Sequence, residues 1–596
     1  MRGALPLLMA ALTFVYVYFF QYYEKIPNPN EQTRAYLTIA LVERGTIAID
    51  EEIRRFGDTI DKAWFGGHTL CDKAPGLSLV GVPVYAALKA VSKAFRHDLK
   101  FSEIIKVLRV FSVTLPALVL LLVIHWGLGM VEPDDRVRLP LLAVYGLGTT
   151  AHTYSVLLFS HQMAAGLAAA AFFLAMRASR ATPPLSPPPA QPGEGGAADP
   201  ALPATGDRRP ATGDRRLAAG HLLPVAFAAG LCAGFAVVCE YPLIIAALVV
   251  TGYLIATCWR RPLVLVPFAL GALIPAGVLL AYNKAAFGGY FELGYAHIAN
   301  PFFAQFHKDG ALGVSTPKIA AFAGSFFSAS RGYFPFQPWL FLAFPGLWFL
   351  FRRREFRAEG IAVVAAIAGY AYFISSFSYW QAGGTVSQRH LTALTPFLLV
   401  PLAVFARDIR AEGMGPLKYV HAAAGLFSIL VITLCTVPFP YFSTAYPNPL
   451  FDLALRLWNM GLVPHSVGEG LGLKGLWAAV PYLVVVALIA AFFLRLTFEP
   501  CETECRRQAG VLISTAIVFV VLAAYSMVER DRNLEGKRND MWGIVGNYEP
   551  REGICDLATK KDEKGGYLRS PDALTSSCHA ILGHTADALE FFRKSR

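Results

Sequence analysis

Charge is scarce in this chain of 596 residues: Asp, Glu, Lys and Arg make up 16% of it, against roughly 25% in an average soluble domain. That shortage argues against a string of soluble domains and points to lipid as the main solvent. Metal-type cysteine spacing is missing too, because the nine Cys include no CxxC pair of the kind that holds structural zinc. Cys232, Cys258 and Cys435 sit inside apolar runs and read as small buried residues. Cys501 and Cys505 fall in a charged turn expected in the cytoplasm, where a stable disulfide does not persist. Cys555 and Cys578 lie in the polar tail and are able to pair if that tail is extracytoplasmic. A small-residue cleavage site is also lacking after the apolar residues 4–21, and Tyr22, Tyr23 and Lys25 follow instead. That segment therefore reads as a retained first helix.

What the chain does have is apolar length. Hydrophobic residues make up 55%, and runs of about 17 to 22 residues recur, each long enough to cross ~30 Å of hydrocarbon. Spans are expected near 4–21, 107–129, 138–156, 160–176, 219–238, 242–258, 262–282, 336–351, 359–378, 391–406, 419–437, 476–495 and 509–527, about thirteen in all. The net charge of +11 sits in short clusters at the ends of these runs and reflects topology, not a nucleic-acid partner. With alternating spans, the connections carrying Arg136 and Arg138, Arg177 to Arg216, Arg260 and Arg261, Arg352 to Arg357, Arg407 to Lys418, and Arg495 to Arg507 share one side, which must be cytoplasmic. The alternation holds only if Pro75 to Val91 lies on the outer side as a re-entrant or surface helix. The outer connections are then 22–106, 283–335, 379–390 and 438–475, followed by an outer tail.

The expected fold class is thus an all-α polytopic membrane protein with a long first extracytoplasmic loop, 22–106, containing juxtamembrane helices. The membrane domain spans 1–527. It is interrupted at 181–216 by a Pro-, Gly- and Ala-rich cytoplasmic linker that cannot bury a core. In that linker, Pro203 to Arg209 is repeated as Pro210 to Arg216. Residues 528–596 form a polar tail or small appended domain.

The first loop gathers most of the acids that chemistry could use: Glu24, Glu31, Glu43, Asp50, Glu51, Glu52, Asp58, Asp61 and Asp72. A bland reading covers most of them, since acids on the outer side do not disturb topology. Two strings are harder to treat as solvated surface. They are Asn28-Pro29-Asn30-Glu31-Gln32-Thr33-Arg34, after the first span, and Cys71-Asp72-Lys73-Ala74-Pro75-Gly76, before the surface helix.

These strings resemble motifs of the GT-C superfamily of membrane glycosyltransferases, which includes the protein mannosyltransferases and the lipid A aminoarabinose transferase. Asn30-Glu31-Gln32-Thr33-Arg34 is similar to that family's Asp-Glu-x-x-Arg string. Asp72-Lys73-Ala74-Pro75-Gly76-Leu77 is similar to its acid-Lys-Pro-Pro-Leu string. Further strings resemble uncharacterised bacterial members: Phe159-Ser160-His161, Glu240-Tyr241-Pro242, Ser328 to Gly332, and Trp380 through Gln388-Arg389-His390-Leu391. The similar strings span about 28–391, and the rest of the chain shows only hydropathy.

The resemblance implies a GT-C-like bundle. It also implies an inverting transferase moving a sugar from a polyprenyl-phosphate donor to an extracytoplasmic lipid, glycan or protein acceptor, at the inner membrane and facing outward. It departs at Asn30, where the family carries Asp, so the base becomes Glu31 or comes from Asp50, Asp58 or Asp61. Such a transfer needs a carboxylate for the acceptor proton and cations for the departing phosphate. Glu31 and Asp72 are the expected catalytic acids, and Asp72 is also a candidate ligand for a divalent metal.

Arg34, Lys73, Arg331, Arg389, His161 and Glu240 are expected at the substrate, with Tyr295 and His297 weaker candidates. Each has a structural alternative. Glu31 suits a helix N-terminus, Asp72 with Lys73 an interfacial ion pair, Arg389 a headgroup anchor, and Glu240 a buried paired charge. Two other functions fit the hydropathy. A transporter or lipid flippase would place ionisable groups midway along broken helices, and a non-catalytic member of the same fold would serve as a scaffold for envelope polysaccharide assembly.

Overall fold

The computed structural model describes residues 3–23, 28–180, 212–411, 415–444, 446–499 and 504–528, together with Ile544. The sequence expectations for the tail, including Cys555 and Cys578, and for most of the linker fall outside these residues. The helix Thr212–Cys239 starts inside the stretch read as linker, so its last residues are helical.

Eleven helices among the described residues are long and apolar enough to cross a membrane. The chain is an all-α polytopic membrane protein. Every expected span is helical, but Ala4–Tyr18 and Pro338–Arg352 are shorter than a full crossing. The expected span 138–156 is broken into Asp135–Gly148 and Thr150–Ser155. The break has a local cause. Thr149 adopts an extended backbone and its side chain accepts a bond from the Ala151 N–H, starting a new helix. Gln337 Oε1 then accepts from the freed Thr150 N–H at 2.9 Å.

Gly76–Phe95, expected to lie on the outer surface, meets the length and hydropathy of a span. It runs alongside Pro29–Arg44, and the contacts keep step along both helices. Ser78 Oγ donates to Arg34 O at 3.0 Å, Thr38 Oγ1 donates to Ser78 O at 3.1 Å, and Tyr85 OH donates to Glu43 Oε1 at 2.6 Å. Strand is confined to two short antiparallel pairs among the described residues, Phe19–Phe20 with His465–Ser466 and Ala63–Phe65 with His68–Leu70.

Ionic contacts collect at the helix ends in two groups. One joins connections read as cytoplasmic: Arg353 to Asp408 at 2.6 Å, Arg180 to Glu359 at 2.8 Å and Arg410 to Glu499 at 3.0 Å. The other joins the first loop to the start of the next span and to a later connection: Glu31 to Arg109 at 2.6 Å and Arg34 to Glu240 at 2.9 Å. Charge in lipid is tolerated where it is paired and covered by protein, and this arrangement leaves the middle of the spans apolar.

Candidate functional site

The helix Pro29–Arg44 is the frame of the site. Asn28 caps it by accepting from the Asn30 N–H at 3.0 Å, Pro29 occupies the first turn where no N–H is needed, and Gly45 closes it in the left-handed region. Its first turns bury a run of polar residues, Asn30 through Arg34. Buried polar groups require partners, so this face is committed to specific contacts.

Glu31 is almost fully enclosed, and its carboxylate is occupied by four donors. Oε1 accepts from Arg109 Nε at 2.9 Å and from the Leu158 N–H at 2.5 Å. Oε2 accepts from Arg109 Nη2 at 2.6 Å and from Tyr441 OH at 3.1 Å. The crevice beside it holds about 10 Å³, room for roughly one water. Arg34 is similarly spent: Nε donates to Asn30 Oδ1 at 3.0 Å, Nη1 to Ala74 O at 3.2 Å and Nη2 to Glu240 at 2.9 Å. Glu240 also accepts from Ser160 Oγ and lies 3.6 Å from His161 Nδ1. Arg34, His161 and Glu240 thus form a buried brace tying the first motif to the second and to the connection after Cys239.

A cavity of about 280 Å³ lies beside this frame. Residues of all four connections read as outer line it, among them Asp61, Lys73, Tyr295, Tyr379, Arg389 and Tyr441. Asn30 and Asp72 are also in its wall, whereas Glu31, Arg34, His161, Glu240 and Arg331 are not. Lys73 bridges two carboxylates, at 2.8 Å from Asp72 and 3.0 Å from Asp61, and sits 5.9 Å over the Tyr295 ring. Burial alone would lower the Lys73 ammonium, but Asp61 and Asp72 outweigh it and hold it above its ordinary value. Burial raises the Asp72 carboxyl against the pull of Lys73. Burial likewise pushes the Tyr295 hydroxyl up to about 12, with Lys73 opposing.

Arg389 differs from the other arginines of the site. It lines the cavity, no carboxylate pairs with it among the described residues, and its Nε is buried without a hydrogen-bond partner. A half-buried cation in that state is ready for an anion. Arg331 has the opposite fate. It donates to the carbonyls of Gln381 at 2.7 Å, Gly383 and Phe442 at 3.0 Å, and to Thr385 Oγ1 at 3.2 Å. It therefore braces the turn 379–390, in which Ala382 and Ser387 hold positive φ of 62° and 56°.

The second motif is placed by a close backbone contact. A Cβ on Gly294 would lie 2.8 Å from Asp72 O, so only glycine lets the Gly294–His297 turn seat against the backbone at Asp72. Gly294→Val is expected to lower binding of inorganic phosphate, a probe of the cavity cations, by about tenfold while shifting the unfolding temperature little, because Tyr295 and Lys73 move apart and the spans stay packed. Equal affinity in equilibrium binding would contradict this placement. His297, by contrast, faces Glu292 at 3.3 Å and packs on Phe287, away from the cavity wall.

Metal binding finds a poor donor set here. Among the described residues no three His, Cys, Asp or Glu side chains converge on one point. The two cavity carboxylates already share the ammonium of Lys73, which fills the position between them.

Sequence reading missed Arg109 and Tyr441, which hold Glu31, and did not single out Tyr379 or His390. Arg109 carried a readable signal: it falls inside an expected apolar span, where an ionisable group is a functional candidate by default. It is followed by one widened turn, Val110–Thr114, and points inward while Phe111 faces out. Tyr441 carried no such signal.

A second, apolar recess of about 720 Å³ lies between Ile244–Cys258 and Arg357–Ser376, lined by Leu248, Val249, Ile361, Tyr372 and Phe373. It reaches the cavity wall through packed aromatic rings. Phe373 lies 5.5 Å from Phe377, which lines the cavity, and Phe377 lies 5.7 Å from His390.

The fold and site define a polytopic helical membrane protein with a cavity, lined by two cations and two carboxylates, assembled from connections on the side of its first loop. No protein-family model and no curated protein matches the chain. Among solved structures it is similar to ArnT from Cupriavidus metallidurans in the apo state, at 16% identity over 87% of this chain and 78% of that one, with a TM-score of 0.43. The same protein bound to undecaprenyl phosphate aligns at 14% identity over 84% and 77%, with a TM-score of 0.41. Arabinosyltransferase EmbB from Mycobacterium smegmatis aligns at 13% identity over 94% of this chain and 44% of that one, with a TM-score of 0.40.

Proposed function

We propose that the chain is a membrane glycosyltransferase that moves a sugar from a polyprenyl-phosphate donor to an acceptor on the outer side of the inner membrane, with inversion at the anomeric carbon. The observation that carries the reading is the presence of two cations, Lys73 and Arg389, in one cavity whose wall abuts an apolar recess between two spans. A polyprenyl-phosphate sugar needs these features together: cations for the phosphate, an apolar channel for the chain, and polar room for the sugar.

Lys73 and Arg389 hold the phosphate as charge develops on it, where fixed cations in a water-poor site act most strongly. Asp72 keeps Lys73 in place. Asn30, Tyr295 and Tyr379 offer hydrogen bonds to the sugar. The tail lies along Phe373 and Leu248. The residues expected at the substrate but found outside the cavity wall, Arg34, His161, Glu240 and Arg331, act here as supports.

Mass spectrometry of lipid copurified with the protein, followed by incubation with labelled polyprenyl-phosphate sugars and membrane extract, tests the proposal. Bound polyprenyl phosphate and label transfer to a lipid, glycan or protein fraction are expected. Uptake of label into sealed vesicles without transfer would overturn the reading in favour of a transporter.

A further inference from the structure

We propose that Asp61 is the general base that takes the proton of the acceptor hydroxyl, an inference that rests on the transferase reading above. A base must reach the reacting atoms and keep a lone pair free for the incoming proton. Glu31, Asp61 and Asp72 are the acids to compare, and they differ in both respects.

Glu31 fails on both. It is absent from the cavity wall, and each of its oxygens already accepts two hydrogen bonds, from Arg109, the Leu158 N–H and Tyr441. Taking a proton there would break a buried pair with Arg109. Asp72 lines the cavity but its side chain is only 3% exposed. Its Oδ2 is held by Lys73, and its Oδ1 is sealed away without a hydrogen-bond partner among the described residues. A hydroxyl from outside has no path to that oxygen. Asn30 also faces the cavity, but an amide oxygen is not a base at neutral pH.

Asp61 satisfies both conditions. It lines the same cavity, its side chain is 19% exposed, and its one ionic contact among the described residues runs from Oδ2 to Lys73 at 3.0 Å. Its other oxygen accepts no hydrogen bond from any described residue. The loop that carries it is fixed from both sides. The Ala63–Phe65 strand pairs with His68–Leu70 just after it, and the Ala299 N–H donates to Lys62 O at 2.9 Å.

Lys73 couples the base to the donor. Its ammonium is shared between Asp61 and Asp72. A donor phosphate arriving between Lys73 and Arg389 competes for that ammonium and releases the Asp61 carboxylate toward the acceptor. Asp61 then takes the hydroxyl proton as the acceptor oxygen bonds the anomeric carbon. The bond from that carbon to the phosphate oxygen breaks, and its electron pair leaves with the polyprenyl phosphate. The proton later passes from Asp61 to water through the open side of the cavity.

The test compares purified wild type, Asp61→Asn and Asp61→Ala for unfolding temperature, undecaprenyl-phosphate binding and sugar transfer. Asp61→Asn should lower the transfer rate by about 10²–10⁴-fold, the usual worth of a positioned general base. Binding of undecaprenyl phosphate should be no weaker than in wild type. Formate should partly restore the rate of Asp61→Ala, and Asn30→Asp added to Asp61→Asn should do the same by supplying a carboxylate to the cavity.

Transfer by Asp61→Asn within threefold of wild type overturns the assignment and leaves the transferase reading intact. So does a loss that tracks a fall in lipid binding and is rescued by neither route. A wild type that neither binds undecaprenyl phosphate nor transfers sugar overturns the reading itself.

Discussion

Lys73→Ala is expected to lower sugar transfer by about 10²–10³-fold, the magnitude found when one fixed donor to a developing anion is removed. Arg389→Ala should fall in the same range. The reasons differ. Lys73 is held between Asp61 and Asp72, so removing it leaves two carboxylates facing each other across the cavity and repels the donor phosphate. Arg389 pairs with no carboxylate among the described residues, so its loss removes attraction alone. Affinity for undecaprenyl phosphate should therefore fall further in Lys73→Ala, and adding Asp61→Asn to Lys73→Ala should recover part of that affinity. Lys73→Arg is expected to retain binding but lose rate, because a guanidinium does not fit the compact site between the two acids. Binding and transfer measured side by side decide this. Wild-type rates in both alanine variants would remove the phosphate site from this cavity.

Arg109→Ala is expected to destabilise the protein by about 3–5 kcal/mol, the loss seen when one partner of a buried ion pair is deleted. Both groups are nearly enclosed, with side chains 6% and 4% exposed, so solvent does not screen the loss. Glu31→Ala should cost a similar amount by leaving the guanidinium unpaired. The double replacement Glu31→Leu with Arg109→Met should be markedly less destabilised than either single one, since no buried charge remains. Equilibrium unfolding in mixed detergent measures all three. If the single variants unfold like wild type, the pair is not a lock. Catalysis and stability separate at this point: Glu31 variants should lose transfer through misplacement of the whole Pro29–Arg44 helix, whereas Asp61 variants should lose it with the fold unchanged.

The legible part of the site was its location. Asp72, Lys73 and Arg389 stand out in sequence because charge is rare here and those residues sit at the ends of apolar runs on one side of the membrane. The structure does bring them to one cavity. Roles were less legible. Glu31 and Asp61 are both first-loop acids, and nothing in their neighbours in sequence says that one is saturated and the other open. That difference is set by Arg109 and Tyr441, far along the chain from the motif. Arg331 and Arg389 likewise share an expected side, yet one is consumed by the carbonyls of a turn and the other faces open space.

The sequence by itself determined that the chain is helical, crosses the membrane many times, and places its long first loop with the connections before 336, 391 and 476 on one face. Hydropathy and the sidedness of Lys and Arg are properties of segments, and segments keep them wherever they pack. Only the tertiary structure decided which acid is a lock and which is exposed, which arginine braces and which stands free, and where the apolar recess meets the cavity. Those are properties of pairs distant in the chain. The burial and hydrogen-bond capacity of a side chain are fixed by what is folded against it.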